Sequence, residues 1–211
     1  MMDMMKRIEE MGIVPVVVIE DAKQALPLAE ALCAGGLPCA EVTFRTAAAR
    51  DAIREMKKKE NMLVGAGTVL TPEQVDEAVD AGAEFIVSPG FNRNVVRHCK
   101  EKGIPVIPGV CTPTEVEMAL EEGIEVVKFF PAEAAGGIAM IKAMSAPYGS
   151  VRFMPTGGIT MENLADYLSY NKVLACGGSF MVSKKLIAEN QFGKIEELTR
   201  EAVSLLREIR R

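Results

Sequence analysis

One pattern recurs along the chain and limits what it can fold into. A short, often β-branched apolar run is followed by a helical stretch, then a glycine, then the next apolar run. The runs lie at 13–19, 39–44, 62–67, 84–88, 104–110, 124–130, 151–155 and 172–177, and a last helix is predicted over 193–210. Gly82, Gly103 and Gly123 recur at near-equal spacing, where a helix ends in a left-handed residue. Thr71-Pro72-Glu73-Gln74 and Thr112-Pro113-Thr114-Glu115 each put Thr at the N-cap, Pro at N1 and Gln or Glu at N3. Strict alternation of strand and helix implies parallel strands joined by right-handed crossovers. Eight such units in 211 residues predict a (β/α)8 TIM barrel near the lower end of its size range. An open doubly wound sheet competes, but no G-x-G-x-x-G follows the first run. No linker or composition shift divides residues 1–211, so a single barrel domain is expected. The Met-rich start reads as a short N-terminal helix under the barrel, expected to tolerate substitution.

Composition narrows the chemistry. There are 24 basic and 29 acidic residues, a formal charge of −5, which argues against nucleic acid as partner. The single histidine, His98, cannot build a two- or three-His zinc site in one subunit. It falls in a predicted outer helix, where a packing or surface role is expected. The cysteines, Cys33, Cys39, Cys99, Cys111 and Cys176, are odd in number and lack C-x-x-C spacing, which reads as free thiols in a reducing cytoplasm. The start MMDMMKRIEEMG has no apolar signal core, and Ile13–Ile19 is too short to span a bilayer, so neither signal peptide nor membrane span is expected.

In a barrel the chemistry gathers at the C-terminal ends of the strands. Polar side chains inside apolar runs are therefore the anomalies to explain. Lys128 sits in Glu125-Val126-Val127-Lys128-Phe129-Phe130-Pro131. An apolar site disfavours a charged amine, and a free amine is the nucleophile for Schiff-base chemistry on a ketone. The competing account is a strand-end lysine whose stem reaches solvent. In Glu41-Val42-Thr43-Phe44-Arg45-Thr46, strand alternation puts Glu41, Thr43 and Arg45 on one face. A buried Glu can shuttle protons, and an Arg can grip a carboxylate, but an internal Glu–Arg ion pair would satisfy the same charges. Three glycine-rich segments follow strands: Gly65-Ala66-Gly67-Thr68, Pro155-Thr156-Gly157-Gly158-Ile159 and Gly177-Gly178-Ser179. The last two follow the seventh and eighth strands, where such barrels often hold a phosphate on backbone N–H groups.

Five motifs in order resemble one family: Glu41-Val42-Thr43-Phe44-Arg45-Thr46, Gly65-Ala66-Gly67-Thr68-Val69, Ser88-Pro89-Gly90, Lys128-Phe129-Phe130-Pro131-Ala132-Glu133 and Pro155-Thr156-Gly157-Gly158-Ile159. The chain is similar, from Val14 to about Val182, to the 2-keto-3-deoxy-6-phosphogluconate (KDPG) and 4-hydroxy-2-oxoglutarate (KHG) aldolases. The resemblance implies a class I aldolase that needs no metal and no cofactor, usually a cytoplasmic homotrimer, acting in the Entner-Doudoroff branch of carbohydrate metabolism. It implies that Lys128 forms the Schiff base with pyruvate or a phosphorylated 2-keto acid and that Glu41 moves protons. It implies that Arg45, Thr68 and Thr156 hold the pyruvyl carboxylate and nearby hydroxyls. Pro89 and Phe130 would shape the pocket, and Gly157, Gly158, Gly178 and Ser179 would bind the distal phosphate. The chain departs at Val18, where some relatives carry an arginine that is a candidate phosphate contact, and at Phe44, where leucine is usual. The alternatives are an aldolase for 2-keto-3-deoxy-6-phosphogalactonate, another phospho-sugar barrel, and a non-catalytic trimeric barrel that binds a phosphorylated ligand.

Overall fold

The computed structural model describes residues 2–210. Helix α1 (Met2–Met11) precedes β1 (Ile13–Val17), and then α2 (Ala25–Ala34), β2 (Cys39–Thr43), α3 (Ala49–Met56), β3 (Leu63–Gly67), α4 (Pro72–Ala81), β4 (Phe85–Val87) and α5 (Arg93–Lys102) alternate. The fifth predicted strand is two pieces, β5 (Val106–Ile107) and β6 (Gly109–Val110). Pro108 interrupts it, because proline has no N–H to place in a ladder. The chain continues through α6 (Pro113–Glu121), β7 (Val126–Phe129), α7 (Gly137–Ser145), β8 (Arg152–Pro155), α8 (Leu164–Leu168) and β9 (Cys176–Gly178). It ends with α9 (Lys184–Ala188), which the sequence pattern did not separate, and α10 (Phe192–Ile209).

Two parallel sheets form the wall. One has the order β5-β4-β3-β2-β1-β9 and the other β6-β7-β8. They meet on one side at the strand broken by Pro108. On the other side parallel bridges join Phe153 to Val173 and Thr156 to Gly177. Eight strand positions thus close into the (β/α)8 circuit that the alternation predicts. The predicted caps form as well. Thr71 Oγ1 accepts from the Gln74 N–H, Thr112 and Glu115 make a reciprocal capping box, and Gly82 and Gly103 end their helices with φ of 97° and 69°.

The strands divide the interior in two by parity. Ala40, Val42, Val127, Phe129 and Phe153 face the helices. Val14, Cys39, Leu63, Phe85, Ile107, Met154 and Leu174 face inward and fill the N-terminal end of the barrel. Helix α1 closes that end. Ile8 is fully buried among those inward residues, with Met4, Met5 and Met11 packed beside it. The tolerance to substitution expected of this segment therefore does not extend to Ile8, whose side chain is part of the core. Polar ties hold α1 in place: Arg152 makes a two-armed bond to Glu9 at 2.8 Å each, and Arg7 reaches Glu84 at 3.3 Å. Among the described residues no helix is long and apolar enough to cross a membrane.

Candidate active site

The same parity that fills the bottom of the barrel with apolar groups brings the anomalous polar residues together higher up. On β7, Val127 and Phe129 point to the helices, so Lys128 points in. On β2, Ala40 and Val42 point out, so Glu41 points in. Lys128 Nζ lies 3.4 Å from Glu41 Oε1, with the residues 4% and 0% exposed. The lysine does not reach solvent, and the partner of Glu41 is this lysine rather than Arg45. The ammonium position is 5.3 Å from the centre of the Phe130 ring, within cation–π range.

Glycines make the space. A Cβ on Gly67 would collide with the Glu41 carboxylate, one on Gly109 with the Pro89 backbone, and one on Gly177 with the Thr156 hydroxyl. Each neighbouring strand thus leaves room for a polar or rigid group that a larger residue would displace. Among the described residues, Glu41 Oε2 and Thr156 Oγ1 are buried and have no hydrogen-bond partner. Both atoms are left to pair with a water or a ligand that enters the site.

A cavity of about 300 Å³ opens near the Lys128–Glu41 pair, neither member of which lines it. Phe130, two residues beyond Lys128, lines it, as do Arg45, Thr156, Gly157, Gly158, Gly178 and Ser179. Val16, Ile159 and Gly177, which the sequence gives no individual role, also line it, as does Val18, where the chain departs from some relatives. Their signal in the sequence is weak, because apolar residues and glycine at strand ends are ordinary. Thr68 and Pro89 lie outside this lining. Thr68 Oγ1 accepts from Arg45 Nε at 3.4 Å, and Thr68 adopts φ of 56°, an uncommon left-handed conformation for a β-branched residue. Pro89 is half-buried, and its loop is braced by the Ser88 hydroxyl donating to the Gly90 carbonyl at 2.8 Å. Thr43, on the same face as Glu41, is spent internally: its hydroxyl donates to the Val17 carbonyl at 2.9 Å.

The loop after β8 is held by its carbonyls. Those of Thr156 and Gly157 accept from the Ala132 and Glu133 N–H groups at 2.8 and 3.0 Å, and that of Gly158 from Asn163 Nδ2 at 2.9 Å. Gly157 and Gly158 turn with φ of 98° and 84°, which glycine alone adopts readily. The N–H groups of Gly158 and Ile159 have no backbone acceptor among the described residues. Free amides in such a turn make an anion-binding concavity.

Away from the pocket, the histidine and the buried thiols are tied into the packing. His98 lies on α5 with Nε2 2.9 Å from Asp76 Oδ1, tying α5 to α4. Burial pushes the thiols of Cys39, Cys99 and Cys176 up, that of Cys99 to about 12, which keeps them protonated and inert. Among the described residues no three His, Cys, Asp or Glu side chains cluster as a metal-binding group.

A model of the KDPG and KHG aldolases matches residues 4–198. The chain belongs to this family. It is 49% identical over 207 residues to the 2-dehydro-3-deoxy-phosphogluconate aldolase of Treponema pallidum, covering 98% of this chain and 99% of that one. The KDPG aldolase of Legionella pneumophila, solved with pyruvate captured at low pH as a covalent carbinolamine intermediate, superposes with a TM-score of 0.88. It is 43% identical, covering 90% of this chain and 93% of the other. The KDPG aldolase of Zymomonas mobilis ZM4, solved with 3-phosphoglycerate, gives 0.88 at 40% identity over 96% of each chain.

Proposed function

We propose that this family member is a Schiff-base aldolase that reversibly cleaves KDPG to pyruvate and glyceraldehyde 3-phosphate, and also takes the shorter KHG, giving pyruvate and glyoxylate. One observation carries the assignment of roles: a buried lysine amine 3.4 Å from a buried carboxylate, under a cavity walled by free backbone amides. The Lys128 lone pair attacks the C2 ketone and forms a carbinolamine. Glu41, directly or through a water, protonates the departing hydroxyl, and water leaves an iminium ion. The carboxylate then takes the C4 hydroxyl proton. The C3–C4 bond breaks, its electrons pass into the iminium to give an enamine, and the aldehyde departs. The enamine is protonated at C3 and hydrolysed, which frees pyruvate and Lys128. The iminium is the electron sink, so the steps call for no cofactor.

Arg45, with Thr68 fixing its guanidinium, faces the substrate carboxylate, and the free Thr156 hydroxyl bonds a neighbouring substrate oxygen. Phe130 and Pro89 shape the walls. The amides of Gly157 and Gly158, with Gly178 and Ser179 opposite, hold the phosphate. Val18 leaves this subsite without a cation from β1, so the phosphate rests on backbone dipoles and one hydroxyl. The chain acts as one domain and as a cytoplasmic homotrimer, for which light scattering should give three times 22.8 kDa. The deciding test is borohydride reduction with pyruvate followed by peptide mass mapping. A pyruvyl adduct on Lys128 is expected; an adduct elsewhere, or none, overturns the reading.

A further inference from the structure

Behind the anion loop lies a buried hydroxyl that the mechanism above does not use. Tyr167, on α8, is 1% exposed, and its hydroxyl donates to the Glu133 carboxylate. Glu133 stands five residues after Lys128, in the loop that follows β7. Its Cβ and Cγ lie so close to Gly158 that a Cβ there would approach both to 2.6 Å. The backbone N–H of Glu133 donates to the Gly157 carbonyl at 3.0 Å. Gly137, the first residue of α7, leaves a gap for the pair: a Cβ there would sit 3.1 Å from Glu133 Oε1 and 3.2 Å from the Tyr167 hydroxyl. One residue therefore touches the loop by main chain and side chain, and a buried phenol fixes its carboxylate. Burial first, and then the adjacent carboxylate, push the Tyr167 hydroxyl above its ordinary value, so it remains a donor.

We propose that Tyr167 and Glu133 form a positioning pair that sets the anion affinity of the Gly157–Gly158 loop and leaves Schiff-base formation at Lys128 unaffected. The proposal rests on the phosphate role given to that loop above. The Tyr167 hydroxyl fixes the Glu133 side chain, which packs on Gly158 while the Glu133 N–H holds the Gly157 carbonyl. Without that tie the Glu133 side chain no longer braces Gly158, and the loop amides lose their set direction.

The test uses Tyr167→Phe, which keeps the ring and removes the donor. Two quantities are read: the dissociation constant for glycerol 3-phosphate by calorimetry, and the rate of borohydride trapping of pyruvate on Lys128. Affinity for the ester should fall about tenfold, the size of one lost charge-assisted hydrogen bond, with trapping within twofold of wild type. Glu133→Ala, at an exposed position, should reproduce the loss, and Glu133→Gln, which keeps an acceptor, should restore most of it. Unchanged ester affinity in Tyr167→Phe and Glu133→Ala, or trapping that falls in step with it, overturns the proposal. A wild-type protein that binds the ester but traps no pyruvate sinks the aldolase reading instead, and the pair is still judged on its ester affinity.

Discussion

The two ends of the barrel are built on the same strands and do opposite work. At the N-terminal end, Val14, Cys39, Leu63, Phe85 and Met154 pack around Ile8 with no polar side chain among them. Two residues further along, the inward positions become Val16, Glu41, Gly65 and Thr156, and Lys128 joins them from β7. Packing fills the first end. Glycine empties the second, and two buried polar atoms there lack partners. Stability and chemistry are thus separated along the strand axis, a few ångströms apart.

Substitutions at each end should break the two properties independently. The largest effect is expected at Lys128. Lys128→Ala should lower turnover at least about 10⁴-fold in a pyruvate-release assay while the far-ultraviolet circular dichroism stays native. Retained turnover would dissolve the distinction between the ends. Glu41→Gln should cost about 10²–10⁴-fold, still with slow trapping of pyruvate on Lys128. At the other end, Ile8→Ala should cost about 2–5 kcal/mol in urea unfolding and leave kcat within a factor of about two. A kcat loss matching Lys128→Ala would show that the plug also shapes the site.

Thr156→Val is the sharper probe, because it removes a buried hydroxyl that has no partner. Stability should hold or rise by up to about 1 kcal/mol, while kcat/KM falls about tenfold or more, opposite signs at one residue. The smallest effect concerns the ties of α1. The bond from Arg152 holds the Glu9 carboxyl below its ordinary value, so the tie contributes above that value and is lost as pH falls through the lowered one. Wild type should therefore lose more stability on acidification below about pH 4.5 than Glu9→Gln. Solvent screening of this half-exposed bridge limits the difference to under about 1 kcal/mol, visible in thermal melts across pH. Parallel acid profiles would remove Glu9 from the account.

Much of this was legible in the sequence for a physical reason: a charged residue in an apolar strand is costly unless something compensates it. That is why Lys128 and Glu41 stand out in the sequence itself. Their pairing with each other does not, since an ion pair between Glu41 and Arg45 is equally consistent with strand parity. The break at Pro108 was open to inspection, yet the apolar run on both sides masked it. Ile8 was missed because a short amphipathic helix looks the same whether it plugs a core or lies on a surface. Tyr167 was missed because a lone tyrosine in an amphipathic segment reads as packing, and only the fold brings Glu133 to its hydroxyl.

The break at Pro108 has a mechanical consequence. Glu41 belongs to the six-stranded sheet and Lys128 to the three-stranded one. Their contact therefore spans the two sheets, which the Phe153–Val173 and Thr156–Gly177 bridges tie on the other side. The Nζ–Oε1 separation thus depends on how the two sheets are held together as well as on either strand. The distance over which a proton travels in this site is a gauge of how tightly the cylinder is shut.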